Sequence, residues 1–320
     1  MRLFVHSNKE TVASAVYKSN CSAELKYRFR CLPLLSKGFN SMKTRIITAI
    51  AAIIVILVPC FVFLHTFVLP LVMGLFAGIA VYEIIKATGG KNRLLQAISC
   101  ATAAVVPMLI HLNIEIPFMP VAIIYVLAYL IIMVPMHKTT KFNDVVTALF
   151  ATLAVPSSLS VFVYLRDIYI LYPYNYTKAN GVFLILLAMF SAWMTDTMAY
   201  FSGKFLGRHK LCPNVSPNKT IEGAVGGVIG NVIASTVMFF IFDKFFFTMH
   251  TFVWWQIIII SAVLSVISMF GDLSASLIKR NNGIKDFGNI FPGHGGVMDR
   301  IDSCLFVLPA LWTCLYIINM

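Results

Sequence analysis

The chain has 320 residues, of which 59% are hydrophobic and only 12% are charged, and its net charge is +12. A soluble domain is about a quarter charged, so this composition excludes an ordinary soluble protein. The basic residues are divided among many short segments rather than clustered on one element, which also argues against a nucleic-acid-binding protein.

The first segment, residues 1–41, differs from the rest of the chain. It carries seven lysines and arginines among scattered Ser and Asn, and it lacks the long apolar core of a signal peptide. We expect a disordered basic tail on the cytoplasmic face, or an extension upstream of a start at Met42.

Apolar blocks long enough to cross a bilayer follow the tail, and they are apolar on all sides. The predicted spans are about 46–64, 67–85, 94–112, 117–136, 145–165, 181–202, 223–242, 252–271 and 303–318. The pattern predicts an all-α integral membrane protein, a polytopic bundle of about nine transmembrane helices. We divide it into N-terminal transmembrane helices at 42–180 and a C-terminal transmembrane region at 181–320.

The loops give the orientation, because their basic residues alternate between the two sides. Fifteen lie on one side and three on the other. The first set is Lys43, Arg45, Lys86, Lys91, Arg93, Lys138, Lys141, Lys204, Arg208, Lys210, Lys219, Lys279, Arg280, Lys285 and Arg300. The second set is Arg166, Lys178 and Lys244. The positive-inside rule then places the N-terminus and the basic loops in the cytoplasm, facing anionic headgroups.

The 13 acidic residues are distributed unevenly. Those near predicted span ends, where we expect water and headgroups to solvate them, are Glu83, Glu115, Asp144, Asp167 and Asp243. Those between the sixth and ninth spans are Asp196, Glu222, Asp272, Asp286, Asp299 and Asp302. Charge within a membrane segment is costly and usually marks function. One such residue alone could form an ion pair that ties two loops together, but six acidic residues in one region predict a functional site.

Two polar segments precede the most charged one. Asp196 lies in an apolar helix about two turns before a basic loop, and either packs helices together or contacts a substrate or ion. The stretch SPNKTIEGAVGG at 216–227 offers hydroxyls, a lysine and a carboxylate. Ser or Thr before its apolar run suits a helix N-cap, and the exposed amides beside Lys219 suit a phosphate. Its glycines have small-xxx-small spacing, which predicts close helix packing.

The third polar segment runs from Gly271 to Asp302 and reads GDLSASLIKRNNGIKDFGNIFPGHGGVMDRID. Asp299 and Asp302 are three residues apart and so share one helical face. Carboxylates hold Mg²⁺, and lysines and arginines neutralise phosphate oxygens. His294, between glycines in this cluster, either contacts a ligand or is structural. The residues alone predict metal-dependent phosphoryl or nucleotidyl transfer at the cytoplasmic membrane surface.

The run S-L-I-K-R-x4-K-D-x-G-x2-F-P-x-H-G-G-V-x-D-R-I-D, from Ser276 to Asp302, resembles the signature of the phosphatidate cytidylyltransferases, or CDP-diacylglycerol synthases. SPNKTIEG resembles a second stretch of that family. The strong resemblance covers about residues 190–303. It implies the reaction of CTP with phosphatidic acid to give CDP-diacylglycerol and pyrophosphate, with Mg²⁺ as cofactor and K⁺ as a candidate companion ion.

The resemblance also implies roles for individual residues. Asp272 and Asp299 would be the metal ligands. The other catalytic residues would be Lys279, Arg280, Lys285, Arg300, His294, Asp302 and Asp286. The substrate-binding residues would be Ser216, Pro217, Lys219, Thr220, Glu222, Asp196 and Ser276.

Two positions depart from the family pattern. Ala275 stands where the family commonly has a glutamate, and Met198 stands where it commonly has a glycine. Loss of that carboxylate could lower activity or change its metal dependence. We expect a working enzyme, because the two proposed metal aspartates and the matching cations remain.

Several alternatives stay open at this point. They are a degenerate second copy with low activity, a CTP-dependent polyprenol kinase and a membrane transporter. A CDP-alcohol phosphotransferase is excluded because the dipeptide Asp-Gly, which its motif needs, does not occur. We expect membrane lipids and the two substrates as partners, no nucleic acid, a homodimer, and a bacterial inner membrane with the site facing the cytoplasm.

Overall fold

The computed structural model describes residues 64–114, 117–246, 251–291 and 295–319. All of them belong to one compact unit of the chain. The predicted tail at 1–41 and the predicted span at 46–64, except for Leu64, lie outside the described residues. So do Glu115 and His294.

Ten helices and two short strands form the described part. The helices are α1 Val68–Ala87, α2 Arg93–His111, α3 Phe118–Met133, α4 Phe142–Arg166, α5 Ile168–Leu171, α6 Lys178–Leu206, α7 Ile221–Phe246, α8 Trp254–Asn281, α9 Met298–Ile301 and α10 Cys304–Asn319. The strands are β1 Lys210–Cys212 and β2 Ser216–Thr220.

Seven segments of the described part are long and apolar enough to cross a membrane, the last formed by α9 and α10 together. α3 is apolar but shorter. The prediction of an all-α integral membrane protein is confirmed, and each predicted span from 67–85 onward has a helix. The total of nine spans, the cytoplasmic N-terminus and the division at residue 180 stay predictions.

The helix ends differ from the predicted ends, most of all in the C-terminal half. The span predicted to end at residue 271 continues as α8 to Asn281. Hydropathy marks only the part of a helix that lipid tails surround. A helix that continues into the headgroup region can therefore carry lysine and arginine with its backbone hydrogen bonds intact.

The helices pack as two neighbouring groups. Helices α1, α2 and α4 contact one another, and so do α6, α7 and α8. Helix α10 lies against α4, α6 and α8.

Glycines allow α6 and α7 to approach closely, which confirms the predicted packing role of the small residues. A Cβ added to Gly223 would lie 2.8 Å from the carbonyl oxygen of Ala199, and one added to Gly227 would lie 3.0 Å from that of Thr195. Since these glycines are used within the chain, their spacing gives no support for a dimer. The homodimer stays a prediction.

A buried polar network joins α6, α7 and α8. The side-chain amide of Asn231 donates to the Ser265 hydroxyl at 2.8 Å and to the Ser261 carbonyl at 3.1 Å, and the Thr195 hydroxyl donates to Ser265 at 3.1 Å. These four residues are fully buried. A polar group without a partner is costly in an apolar environment, so the network fixes how the three helices fit together. It also fixes Asp196, the residue that follows Thr195.

Candidate active site

The second polar segment forms a β-hairpin between α6 and α7. Strands β1 and β2 pair antiparallel, with Lys210 opposite Thr220 and Cys212 opposite Ser216. The Thr220 hydroxyl accepts a hydrogen bond from the Gly223 amide at 3.1 Å. This is the helix N-cap that the sequence predicts.

Glu222 braces this hairpin from the first turn of α7. Its carboxylate accepts hydrogen bonds from the backbone amides of Arg208 at 3.0 Å and His209 at 3.2 Å, and it lies 2.6 Å from His209 Nδ1. Its oxygens are therefore engaged within the hairpin. Its assignment to the substrate site stays a prediction.

An ion pair between Lys219 and Asp272 joins the hairpin to α8. Each side chain is 26% exposed, so the pair lies at the edge of the protein interior. The contact brings together the second and third polar segments, which are more than fifty residues apart in the chain. The sequence predicts that both segments serve one site, and this contact is the direct link between them.

Three aspartates lie around this ion pair: Asp196 in α6, Asp272 in α8 and Asp302 immediately after α9. We call these three residues the carboxylate cluster. Asp196 and Asp302 are each close enough to Asp272 for their charges to interact. Asp302 is 9% exposed and accepts a hydrogen bond from the Ser303 amide, whereas Asp196 is exposed. With Lys219 as the paired cation, the cluster keeps a local excess of negative charge.

The sequence left two interpretations of Asp196 open, which are helix packing and contact with a substrate or an ion. A helix-packing aspartate would hydrogen-bond to a neighbouring span. Within the described part of the chain, no such bond is found for Asp196, and its neighbours are charged groups of the cluster. A role of Asp196 towards a substrate or an ion stays a prediction, and its charged neighbours are consistent with it.

Asp299 is engaged differently from Asp272. One of its oxygens lies 2.8 Å from Lys279 Nζ, and the other accepts the amides of Phe287 at 2.8 Å and Gly296 at 3.0 Å. The Lys279 ammonium also lies 5.3 Å from the centre of the Phe287 ring. The Asp299 side chain is 3% exposed. One oxygen thus pairs with α8 and the other holds the loop between α8 and α9. The predicted role of Asp299 as a metal ligand stays a prediction.

The remaining predicted residues lie around this centre. Arg280, Lys285 and Arg300 are exposed, and none of them takes part in an ion pair among the described residues. Asp286 is also exposed. Ser216 and Ser276 are half-buried, and Pro217 is exposed on the hairpin. The exposed cations are free to meet an anionic ligand.

Glu83 in α1 belongs to the same region, and the expectation that water and headgroups solvate it is wrong. It is 3% exposed, and its two oxygens accept the backbone amides of Val297 at 3.1 Å and Met298 at 2.8 Å. The only signal in the sequence is a glutamate inside an apolar run, AVYEII. Its partners are more than two hundred residues away, so no local pattern could identify them.

Ala275 is 3% exposed on the buried side of α8, one turn before Lys279. A glutamate at this position would enter the protein interior four residues before that lysine, the spacing of a helical ion pair. Lys279 already pairs with Asp299. The structure therefore has no unpaired cation at Lys279 for the missing carboxylate.

The carboxylate cluster has the chemistry that Mg²⁺ prefers, since hard cations take oxygen ligands. Within the described residues, no three or more His, Cys, Asp or Glu side chains are arranged closely enough to form a complete metal site by themselves. Mg²⁺ commonly binds through one or two carboxylates, with waters and substrate phosphates completing its shell. The cluster fits that mode of binding better than an all-protein cage.

Comparison with known proteins extends this description. The Cytidylyltransferase family profile matches residues 43–318. Three bacterial proteins named phosphatidate cytidylyltransferase resemble the chain over 135 residues, which are 42% of this chain and 50% of each relative. They come from Staphylococcus haemolyticus (43% identical), Staphylococcus saprophyticus (42%) and Staphylococcus aureus (43%). The matched region thus spans about half the length of these relatives.

The family match takes in the seven described segments that could cross a membrane and the hairpin. It also takes in the segment between α8 and α9, described at residues 282–291 and 295–297, which we call the signature loop. The contact between Lys219 and Asp272 shows that the hairpin and α8, which leads into that loop, come together in space. The chain therefore belongs to the cytidylyltransferase family.

Proposed function

We propose that this protein transfers the cytidylyl group of CTP to phosphatidic acid, giving CDP-diacylglycerol and pyrophosphate. Family membership and the name of the staphylococcal relatives support this reaction. The observation that carries the proposal is the ion pair between Lys219 and Asp272, because it joins two phosphate-suited segments, the hairpin and the C-terminal part of α8.

The proposed reaction needs no strong base. A phosphate oxygen of phosphatidic acid attacks the α-phosphorus of CTP and forms a new P–O bond. The bond from the α-phosphorus to the bridging oxygen of the β-phosphate breaks, and pyrophosphate leaves. Because the nucleophile is already a phosphate monoester, the protein mainly positions two anions and stabilises charge.

We assign the positive side chains to this task. Lys219 on the hairpin and Arg280, Lys285 and Arg300 around the signature loop would contact phosphate oxygens. Three of the four are exposed, so they can reach both a nucleotide from the cytoplasm and a lipid headgroup. Lys219 is poised to exchange its contact with Asp272 for one with substrate.

Mg²⁺ is part of the proposal: Asp272 would hold the ion, with Asp196 and Asp302 beside it. When bound, the ion would act as a Lewis acid on the nucleotide phosphates. Asp299 would act mainly by holding the loop, which refines its expected role as a second ligand. K⁺ as a companion ion stays a prediction.

The setting follows from the same features. The exposed cations lie on the side of the protein that the charge pattern assigns to the cytoplasm, where CTP is available. The relatives are bacterial, which favours a bacterial cell membrane. Phosphatidic acid would reach the site from the bilayer.

The test uses purified protein in detergent micelles with phosphatidic acid and CTP labelled on the α-phosphate. We expect label in a lipid-soluble product with Mg²⁺ and none with excess chelator. Asp272→Asn should lower the rate by about a hundredfold or more, in line with the loss of one key electrostatic group. Asp243→Asn is the matched control, because Asp243 lies near the C-terminal end of α7 and the hairpin lies at its N-terminal end. This variant should keep near-normal activity.

Failure of a folded wild-type protein to label lipid would contradict the proposal. Label appearing on an added polyprenol instead, from CTP labelled on the γ-phosphate, would identify the polyprenol kinase alternative.

A further inference from the structure

Glu83 is a buried carboxylate that the proposed chemistry does not use. It lies near the end of α1, in the N-terminal half of the chain, yet its two oxygens accept amides of the signature loop. Val297 and Met298, which donate these bonds, are the last residue before α9 and its first residue. Glu83 thus caps the start of the helix that carries Asp299, Arg300 and, one residue past its end, Asp302.

Two glycines of the signature loop pack directly on Glu83. A Cβ added to Gly288 would lie 2.6 Å from Glu83 Cδ, and so would a Cβ added to Gly296. Atoms at that distance overlap, so any larger residue would displace the glutamate or the loop. The absence of side chains at 288 and 296 therefore lets the loop close around the carboxylate.

The same short stretch is also bound by Asp299. The Gly296 amide donates to Asp299 at 3.0 Å, while the next two amides donate to Glu83. Three consecutive amides are thus held by two carboxylates, one from α1 and one from α9. The first amides of a helix have no partner within it, so these carboxylates satisfy buried donors that would otherwise be unpaired.

We infer that Glu83 is a positioning residue that fixes the signature loop and the start of α9 for the proposed reaction. The inference rests on the proposed function for its effect on catalysis, but not for the contacts themselves. An error of about 1 Å in the position of reacting groups can cost roughly a hundredfold in rate. Glu83 acts on the site through the backbone of residues 296–298.

The first experiment compares Glu83→Gln and Glu83→Ala with the full-length wild-type protein in detergent. Asp144→Asn is the matched control, because Asp144 also accepts a backbone amide at a helix start, that of Lys141, at the beginning of α4. Hydrogen exchange measured by mass spectrometry should speed up in residues 284–301 of both Glu83 variants. It should stay unchanged in their α6 and α7 and throughout Asp144→Asn.

Kinetics give the second readout. We expect kcat to fall about tenfold to a hundredfold in Glu83→Ala and less in Glu83→Gln, whose amide oxygen can still accept one bond. The fall in kcat should exceed the rise in KM for CTP, because Lys219 and Arg280, two of the four proposed phosphate-contacting cations, lie outside residues 284–301. Normal exchange in residues 284–301 together with normal kcat in Glu83→Ala would overturn the inference.

A second variant covers the case in which Glu83→Ala does not fold. Gly288→Ala places a methyl group against Glu83 and should reproduce the local increase in exchange and the fall in kcat. Unchanged exchange and kcat in Gly288→Ala would overturn the inference. If wild-type protein makes no lipid product, the proposed function fails, and the exchange measurement still decides whether Glu83 holds the loop.

Discussion

At the scale of single residues, the aspartates of the signature segment divide into two kinds. Asp272 is partly exposed and pairs with a lysine of the hairpin, whereas Asp299 is buried and satisfied by Lys279 and two amides. Both match the family signature, so sequence alone treats them alike. Their surroundings predict different consequences of mutation.

Asp299→Asn should lower both stability and activity. Removing one partner of a buried ion pair leaves the charge of Lys279 uncompensated, which costs about 3 to 5 kcal/mol. Asp272→Asn should lower transfer by about a hundredfold or more. Its stability should change little, because that pair is partly exposed to solvent. Thermal unfolding in detergent, with activity measured in parallel, checks both outcomes. Equal stability loss in the two variants would contradict the distinction.

Ala275→Glu tests whether the departure from the family pattern impairs the protein. We expect turnover to rise by less than about tenfold, because Lys279, four residues on, already pairs with Asp299. Stability should fall, since the new carboxylate is buried without a partner of its own. Steady-state turnover and thermal unfolding measure these effects. A rise of orders of magnitude would instead identify a degenerate copy.

At the scale of elements, the interface between α6 and α7 accommodates Met198, the second position that departs from the family pattern. Met198 packs on Gly230, where an added Cβ would lie 2.5 Å from Met198 Cγ. The family commonly has glycine at the position of Met198. The methionine side chain fits here because the facing residue of α7, Gly230, has no side chain.

This packing predicts a specific double-mutant result. Gly230→Ala should destabilise the protein by about 1 to 3 kcal/mol through overpacking. Adding Met198→Ala should recover most of that loss, because the two changes share one space. Unfolding free energies of both single variants and the double variant give the coupling. Additive effects would show that the two side chains do not share this space.

At the scale of the whole molecule, charge decides the orientation in the membrane. The basic loops should face the cytoplasm, with Lys178, at the start of α6, on the opposite side. Single cysteines introduced as Lys178→Cys and Lys285→Cys in a cysteine-free background check this. A membrane-impermeant maleimide should label the first in intact cells and the second only after permeabilisation. The reverse pattern would invert the topology.

The sequence by itself determined the membrane class, the position of each described long helix and the segments that form the candidate site. Apolar blocks of membrane length have few alternatives to helix, because lipid leaves backbone amides no other partners. The signature run and SPNKTIEG pointed to the family through local residues alone. The cap of Thr220 on α7 was also readable, because an N-cap needs only neighbours in the chain.

Only the tertiary structure decided which side chains meet. The contact of Lys219 with Asp272, the engagement of Asp299 and the burial of Glu83 all join residues of different helices. Hydropathy placed Glu83 near a span end and suggested solvation, but burial depends on which loop covers that end. Packing between distant segments therefore decided which charges hold the signature loop and which stay exposed.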